Sequence, residues 1–330
     1  MRKTAQSLAI NYKNLLLFLF AAFFLFQCSP SESTPDTYPK RPITYIVPWS
    51  PGGMTDMTSR VMGAVLQNAL GQPVNVVNRT GGGGVVGHLA LSQAQPDGYT
   101  LGAMTVEITL LHHTGLTKLT HKDYTPLALL VNNPAAITVR ADAPWDSLPD
   151  LLAEIKARPG ELQASGTAKD GIWDLARKGF LKAADLPESA MPWVPSQGAS
   201  PALQELLAGG ISVVTASLTE VDALRKAGQV KSLAVMADER LSSFPEIPTL
   251  KEYGLDWSIG GWASISAPAG LDPAVKAKLD SAIQVAIKDT MYINSLTSAG
   301  ANLQFIAGEE LTTFLEAQDK TNEVLMKNGE

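Results

Sequence analysis

Residues 74–88 read VNVVNRTGGGGVVGH. A β-branched apolar run ends in four glycines and resumes as an apolar, helix-forming stretch, the layout of a strand, a tight turn and a helix. Within it, Gly82, Gly84 and Gly87 fit the spacing G-x-G-x-x-G. Glycines let a backbone approach a ligand closely, and the free N–H groups that open a helix favour an anion. A cofactor pyrophosphate is one such anion. It would also call for an acidic residue about twenty positions on to hold a ribose, and Glu107 stands near that distance. A ligand carboxylate is the other, and spacing alone leaves both open.

Outward from this stretch the same alternation continues. Strand-like ITYIVPW (43–49) precedes helix-like TDMTSRVMGAVLQNAL (55–70), with Met57, Val61, Val65 and Leu66 on one helical face. YTLGAMTV (99–106) and AAITVRA (135–141) are further strands, and SLPDLLAEIKA (147–157) places Leu148, Leu151, Leu152 and Ile155 on one face of a helix. The second half repeats the pattern with ELQASG (161–166), AMPWVP (190–195), GISVVTAS (210–217) and VKSLAVMA (230–237), and two amphipathic helices, 273–289 and 308–327, close the chain. Alternation of this kind predicts an α/β protein with mainly parallel sheets.

Four strand-to-helix junctions share one chemistry: Ser50 to Asp56, Thr80 to Gly87, Ser165 to Thr167, and Ser196 to Ser200. Each offers small residues, hydroxyls and free N–H groups near a helix start. In open α/β sheets ligands lie beyond the carboxyl ends of the strands, where such loops gather. Two junctions fall in each half of the chain, which predicts a cleft that grips a small anion from both sides.

The leader sets the compartment. Arg2, Lys3 and Lys13 precede an apolar run from Leu15 to Phe26 that is too short to span a bilayer comfortably and is laid out as a secretory signal. It ends at Cys28, the single cysteine, so an internal disulfide and thiol catalysis are excluded. SPSESTPDTYPK (29–40) then reads as a tether. Removing the three leader cations from the formal charge of −6 leaves −9, which gives no sequence-wide reason to bind nucleic acid. His112 and His113 are adjacent, with no Cys/His cluster beside them, and no metal site is expected. Neither a G-x-S-x-G elbow nor a Gly-Lys-Ser/Thr phosphate loop occurs, so hydrolase and NTPase readings lack their minimum parts.

The assembled segments resemble the receptors of tripartite tricarboxylate transporters, the Bug or TctC-like extracytoplasmic solute receptors. The likeness runs from YPKRPITYIVPWSPGGMTD (38–56) through LGQPVNVVNRTGGGGVVG (70–87), PDGYTLGAMT (96–105) and VPSQGASPALQELLAGGISVV (194–214) to the long segment that begins LAVMADERLSSFPEIPTLKEYG (233–254). It implies a periplasmic-binding-protein fold, a type II-like Venus flytrap of two α/β domains with mixed, mainly parallel sheets and the ligand between them. Residues 1–27 would be a lipoprotein-type signal peptide, although Gln27 stands where Gly, Ala or Ser is usual before the lipidated cysteine, Cys28. Residues 28–39 would be the tether, 40–137 with 262–330 domain 1, and 138–261 domain 2, the chain crossing near 133–139 and 258–264.

The resemblance further implies a small carboxylate ligand, permease subunits as partners, attachment to the membrane through a lipid, and neither cofactor nor enzymatic activity; a monomer is expected. Its first loop gives Trp49, Ser50, Gly53, Met54, Thr55 and Asp56, and its second Gly82, Gly83 and Gly84, which in the family hold a carboxylate largely through backbone N–H groups. Thr105 ends the intervening strand. From the other domain come Ser165, Thr167, Gly198 and Ala199, with Thr215 and Ser217 at the floor. Asp56 either caps the first helix or accepts a hydrogen bond from the ligand. Where the family commonly shows V-P-Y-K-G this chain has Val194-Pro195-Ser196-Gln197-Gly198, and Lys169 is the candidate to supply the missing charge, with Trp173 as a wall; an exposed Lys169 and a core Trp173 are the alternative. Two other functions remain open from sequence: a sensor that presents its ligand to a membrane signalling protein, and an NAD-dependent enzyme using Gly82 to Gly87.

Overall fold

Strands β1 (Ile43–Val47) and β2 (Val74–Asn78) run parallel, Ile43 opposite Val74 and Val47 opposite Asn78, with helix α1 (Met54–Leu70) crossing between them. This computed structural model describes residues 38–327, so the signal, Cys28 and the tether up to residue 37 lie outside the described residues. Helix α2 (Val85–Ser92) leads into β3 (Thr100–Thr105), parallel to β1 on its other edge. Beyond β3 the sheet turns antiparallel. β9 (Gly260–Pro268) pairs with β3, β4 (Tyr124–Arg140) pairs with β9, and β10 (Leu303–Ala307) pairs with the other edge of β4.

β4 is 17 residues long and belongs to two sheets. Up to Pro134, opposite Gly260, it pairs with β9; from Ala135, opposite Ser217, it pairs with β7 (Val213–Ser217), and β8 (Val230–Val235) flanks its other edge. Two short strands, β5 (Ala164–Ser165) and β6 (Trp193–Val194), complete this second sheet in parallel beside β7. Sequence reading found only the end of β4, because Pro126, Asn132, Asn133 and Pro134 read as turn residues. Register shifts between Pro126 and Ala128 and between Leu129 and Val131 accommodate the departures from a regular ladder.

The helices follow their strands. After β4 comes α3 (Leu148–Ala157), whose start is a capping box in which Ser147 and Asp150 satisfy one another's backbone N–H groups. α4 (Ile172–Ala183) follows β5, α5 (Ala199–Ala208) follows β6, and α6 (Leu218–Lys226) follows β7. The chain closes with three helices rather than two: α7 (Pro273–Ala286), α8 (Thr290–Ser298) and α9 (Gly308–Lys327), β10 lying between the last pair. The buried face of α1 is Met54, Thr58, Met62, Val65 and Leu66, so Met57 and Val61 are only half-buried. Fully buried Trp262 on β9 stacks edge-on with Phe314 of α9 at 5.7 Å, and its indole N–H donates to Gln318. Burial of such a side chain contributes about 2–3 kcal/mol, which ties α9 to the first sheet.

Candidate functional site

Three of the four junctions predicted from sequence converge where the two sheets face each other, the Thr80 to Gly87 junction being the exception. From the first sheet come Trp49 to Thr55, between β1 and α1, and Thr105 with Glu107, just past β3. From the second come Thr167, Ile172 and Trp173 between β5 and α4, Gly198 and Ala199 at the start of α5, and Glu220 in the first turn of α6; Gly261 of β9 closes the floor. The cavity they line is small, about 30 Å³. The two sides touch directly: the N–H and hydroxyl of Ser50 both donate to the Gln197 carbonyl, at 3.3 and 3.0 Å. A Cβ on Gly198 would lie 3.4 Å from the Ser50 Cβ.

Of the residues singled out from sequence, Trp49, Ser50, Gly53, Met54, Thr55, Thr105, Thr167, Gly198 and Ala199 line this cavity. Thr167 is buried and its hydroxyl has no hydrogen-bond partner among the described residues. Met54 lines the cavity, and its sulfur accepts from the Asn133 amide at 2.6 Å.

Trp173 lines it too, and the other residues do not. The helix begins at Met54, so Asp56 falls in its first turn rather than capping it. Its carboxylate is taken by Arg60 at 2.8 and 2.9 Å, Asn78 at 2.7 Å and the Gly52 N–H at 3.0 Å. Burial pushes its pKa up, but these partners outweigh burial and hold it below the usual carboxylate value. Gly82, Gly83 and Gly84 form a 3-10 turn with positive φ, set behind Trp49: a Cβ on Gly84 would lie 3.1 Å from the indole, and one on Gly83 3.1 Å from the Cβ of Ala168. Gly87 packs on Pro48, where a Cβ would come within 2.5 Å. The third glycine of the motif therefore serves close packing.

Ser165 donates to the Val194 carbonyl at 2.6 Å, Thr215 to the Trp173 carbonyl at 2.7 Å, and Ser217 to Glu220 at 2.9 Å; all three hydroxyls are thus engaged within the protein, and none of the three residues lines the cavity. Lys169 is exposed and supplies no charge to the cavity; Asp170 pairs instead with Lys178 at 2.7 Å. Trp173 is both wall and core, buried yet lining.

Sequence reading named Glu107 only as a candidate ribose-binding acid and did not single out Glu220. Among the described residues that line the cavity there is no Lys, Arg or His, and the ionisable groups are Glu107 and Glu220. Glu107, buried, accepts the Thr105 hydroxyl at 2.5 Å and the Ile172 N–H that opens α4. Glu220 accepts the Ser217 N–H at 3.0 Å and, across the cleft, the Met54 N–H that opens α1 at 3.3 Å. Burial raises the pKa of both despite these bonds, and Glu220 pushes Glu107 further up. Ser217-x-x-Glu220 is a legible capping box after a strand. Nothing local foretells that Glu107 meets α4.

Glu107 comes at the end of the strand after the glycine helix, where a ribose-binding acid would stand. However, β1 lies between β2 and β3, so the two strands of that motif are not neighbours, and the cavity is far too small for a dinucleotide. Two sheets threaded by shared strands, with strand-to-helix junctions from both facing one cavity, make up the fold of a periplasmic-type solute-binding protein. Residues 58–329 match the TctC family, described as the tripartite tricarboxylate transporter family receptor, and the chain belongs to that family. It is 32% identical over 273 residues to protein BugT of Bordetella pertussis, covering 81% of this chain and 82% of BugT. Among solved structures it is similar to a ligand-free TctC solute binding protein from Polaromonas, at 32% identity and TM-score 0.64, covering 88% of this chain and 100% of that one. It is also similar to MatC from Rhodopseudomonas palustris with bound malate, at 25% identity and TM-score 0.79, with the same two coverages. Family and fold are those of solute-binding receptors, not of enzymes.

Proposed function

We propose that this receptor takes a small organic carboxylate into the cleft between its two sheets and delivers it to the membrane permease of a tripartite tricarboxylate-type transporter. The observation that carries the reading is the pairing of helix starts with carboxylates. The N-termini of α1 and α4 face one cavity from opposite sheets, and each accommodates a carboxylate in this structure, Glu220 on α1 and Glu107 on α4. A helix start that binds a protein carboxylate suits a ligand carboxylate equally. The malate held by MatC is a ligand of that chemistry.

The ligand enters by opening about a hinge, since the cavity between the two sheets is small, about 30 Å³. We place the hinge where β4 passes from β9 to β7, at Pro134 and Ala135, and at Gly260 of β9, within a few residues of the division into 40–137 with 262–330 and 138–261 expected from the sequence. The Polaromonas structure, though the more similar in sequence, superposes less well than malate-bound MatC, as domain opening would produce. Among the described residues no helix is long and apolar enough to cross a membrane, and we propose that Cys28 carries the lipid that keeps this extracytoplasmic receptor at the membrane; Cys28→Ser would then release it from the membrane fraction.

The test is a thermal-shift screen of the purified chain against mono-, di- and tricarboxylates, followed by titration calorimetry. A ligand selective for the folded state raises the melting temperature. If no carboxylate does so while a neutral or cationic solute does, the carboxylate reading fails.

A further inference from the structure

Three of the chain's four histidines, His112, His113 and His121, fall within ten residues ahead of β4. The pair that looked partnerless in sequence acquires a partner through the fold, because α9 brings Asp319 against it. The His112 Nε2 lies 3.0 Å from Asp319 Oδ1 and the His113 Nε2 3.2 Å from the same oxygen. One ligand atom from each of the three residues lies within 4.8 Å of the others, and all three side chains are part-buried.

The geometry lets this cluster receive a cation. His112 Nδ1 is 3.1 Å from the Ile108 carbonyl oxygen. A carbonyl can only accept, so with Nδ1 donating, the Nε2 of a neutral His112 ring presents a lone pair. Across 3.0 Å stands Asp319 Oδ1, and the neighbouring ring, its centroid 3.8 Å away, turns its own Nε2 to the same oxygen. A cation there would be met by two imidazoles and a carboxylate.

We propose that His112, His113 and Asp319 form a binding site for a divalent transition metal of the zinc class, joining the turn after β3 to the C-terminal helix α9. Two imidazoles and a carboxylate are ligands zinc accepts, at bonds of about 2.0–2.2 Å. Tetrahedral bonds of that length set ligand atoms about 3.3–3.4 Å apart, close to the observed separations of 3.0 and 3.2 Å. The bond from His112 Nδ1 to a backbone carbonyl is the outer contact that fixes the tautomer of a metal-binding histidine. The surroundings are negative, since Glu323 acts on both imidazoles in addition to Asp319. His121 lies outside the 4.8 Å group, but it is buried, neither of its ring nitrogens has a hydrogen-bond partner, and Asp319, Glu316 and His112 all act on its charge. It is the available fourth donor, directly or through a water. The solute cleft takes no part in the site, since none of these residues lines it.

The full chain, purified without a histidine tag and stripped with EDTA, is titrated near neutral pH with Zn2+, Ni2+, Mg2+ and Ca2+. Zn2+ and Ni2+ should raise the melting temperature with one ion bound per chain, whereas Mg2+ and Ca2+, which favour oxygen ligands, should not. Asp319→Asn and His112→Gln should each weaken Zn2+ binding at least tenfold. Because a variant could misfold, Co2+ is also added to the unaltered chain, where a site with imidazole ligands gives visible absorption that Zn2+ abolishes. The proposal is overturned if Zn2+ leaves the melting temperature unchanged, if the folded Asp319→Asn variant binds Zn2+ as the parent does, or if acidification alone reproduces the stabilisation in an Asp319-dependent way.

Discussion

Glu220 of α6 accepts the Met54 N–H that opens α1, at 3.3 Å across the cleft. Its other oxygen holds the Ser217 N–H and hydroxyl, at 3.0 and 2.9 Å, as the capping box of its own helix. One carboxylate thus caps the start of its own helix and occupies the start of another on the opposite sheet. If a ligand carboxylate uses the start of α1, Glu220 is its internal competitor.

Glu220→Ala should therefore bind a carboxylate ligand more tightly while being less stable. The competing contact is one hydrogen bond, about 1 kcal/mol net, so the gain should be about fivefold. Loss of the cap should cost about 1 kcal/mol of stability. Calorimetry and denaturant unfolding read the two effects separately. Weaker binding in the variant would mean that Glu220 itself holds the ligand.

The buried titratable groups pull stability in opposite directions with pH. Burial raises Glu107 above its model-peptide value of 4.5, so above that pH the folded state retains a proton the unfolded state has lost, and stability falls as pH rises through the folded value. His88, buried with Nδ1 donating to the Gly84 carbonyl at 2.9 Å, is lowered from 6.5 to about 4. Its contribution is complete above 6.5 and is lost as pH falls toward 4. The two windows overlap, so the parent's melting temperature alone separates neither. Glu107→Gln removes one of them. The melting temperature of Glu107→Gln relative to the parent should be highest at neutral pH and should decline as pH falls toward 4.5; a difference independent of pH would mean that Glu107 titrates normally.

What sequence made legible here is whatever the chain encodes locally. A strand ending in Ser50-Pro51-Gly52-Gly53, or in Gly198 before a helix, presents N–H groups whatever the rest of the fold does, and those junctions do line the cavity. The identity of the group facing each junction is non-local. Asp56 looked available, but Asn78, brought beside it by the β1–β2 pairing, and Arg60, one turn on in the same helix, saturate it. Lys169 looked like a cation for the site, but its position on the turn leaves it in solvent. Glu107 on Ile172, and Asp319 on His113 from 206 residues away, depend on how the halves of the chain pack and leave no local pattern.

The two-sided grip rests on Gly198. Its φ of 154° lies in a region that glycine alone occupies comfortably, and a Cβ there would sit 3.4 Å from the Cβ and 3.5 Å from the N of Ser50 on the opposite side of the cleft. Gly198→Ala should therefore oppose closure as well as strain its own loop. Gly228→Ala provides the control for strain, because Gly228 also has a positive φ, of 68°, but a Cβ there meets nothing within 4 Å and the residue is remote from the cavity. Both variants should unfold at a lower temperature than the parent. With a carboxylate ligand found by thermal shift, Gly228→Ala should keep the ligand-induced rise in melting temperature and the compaction seen by X-ray scattering. Gly198→Ala should lose both. If Gly198→Ala binds and compacts as the parent does, the ligand is held by one side of the cleft and closure does not depend on the contact between Gly198 and Ser50.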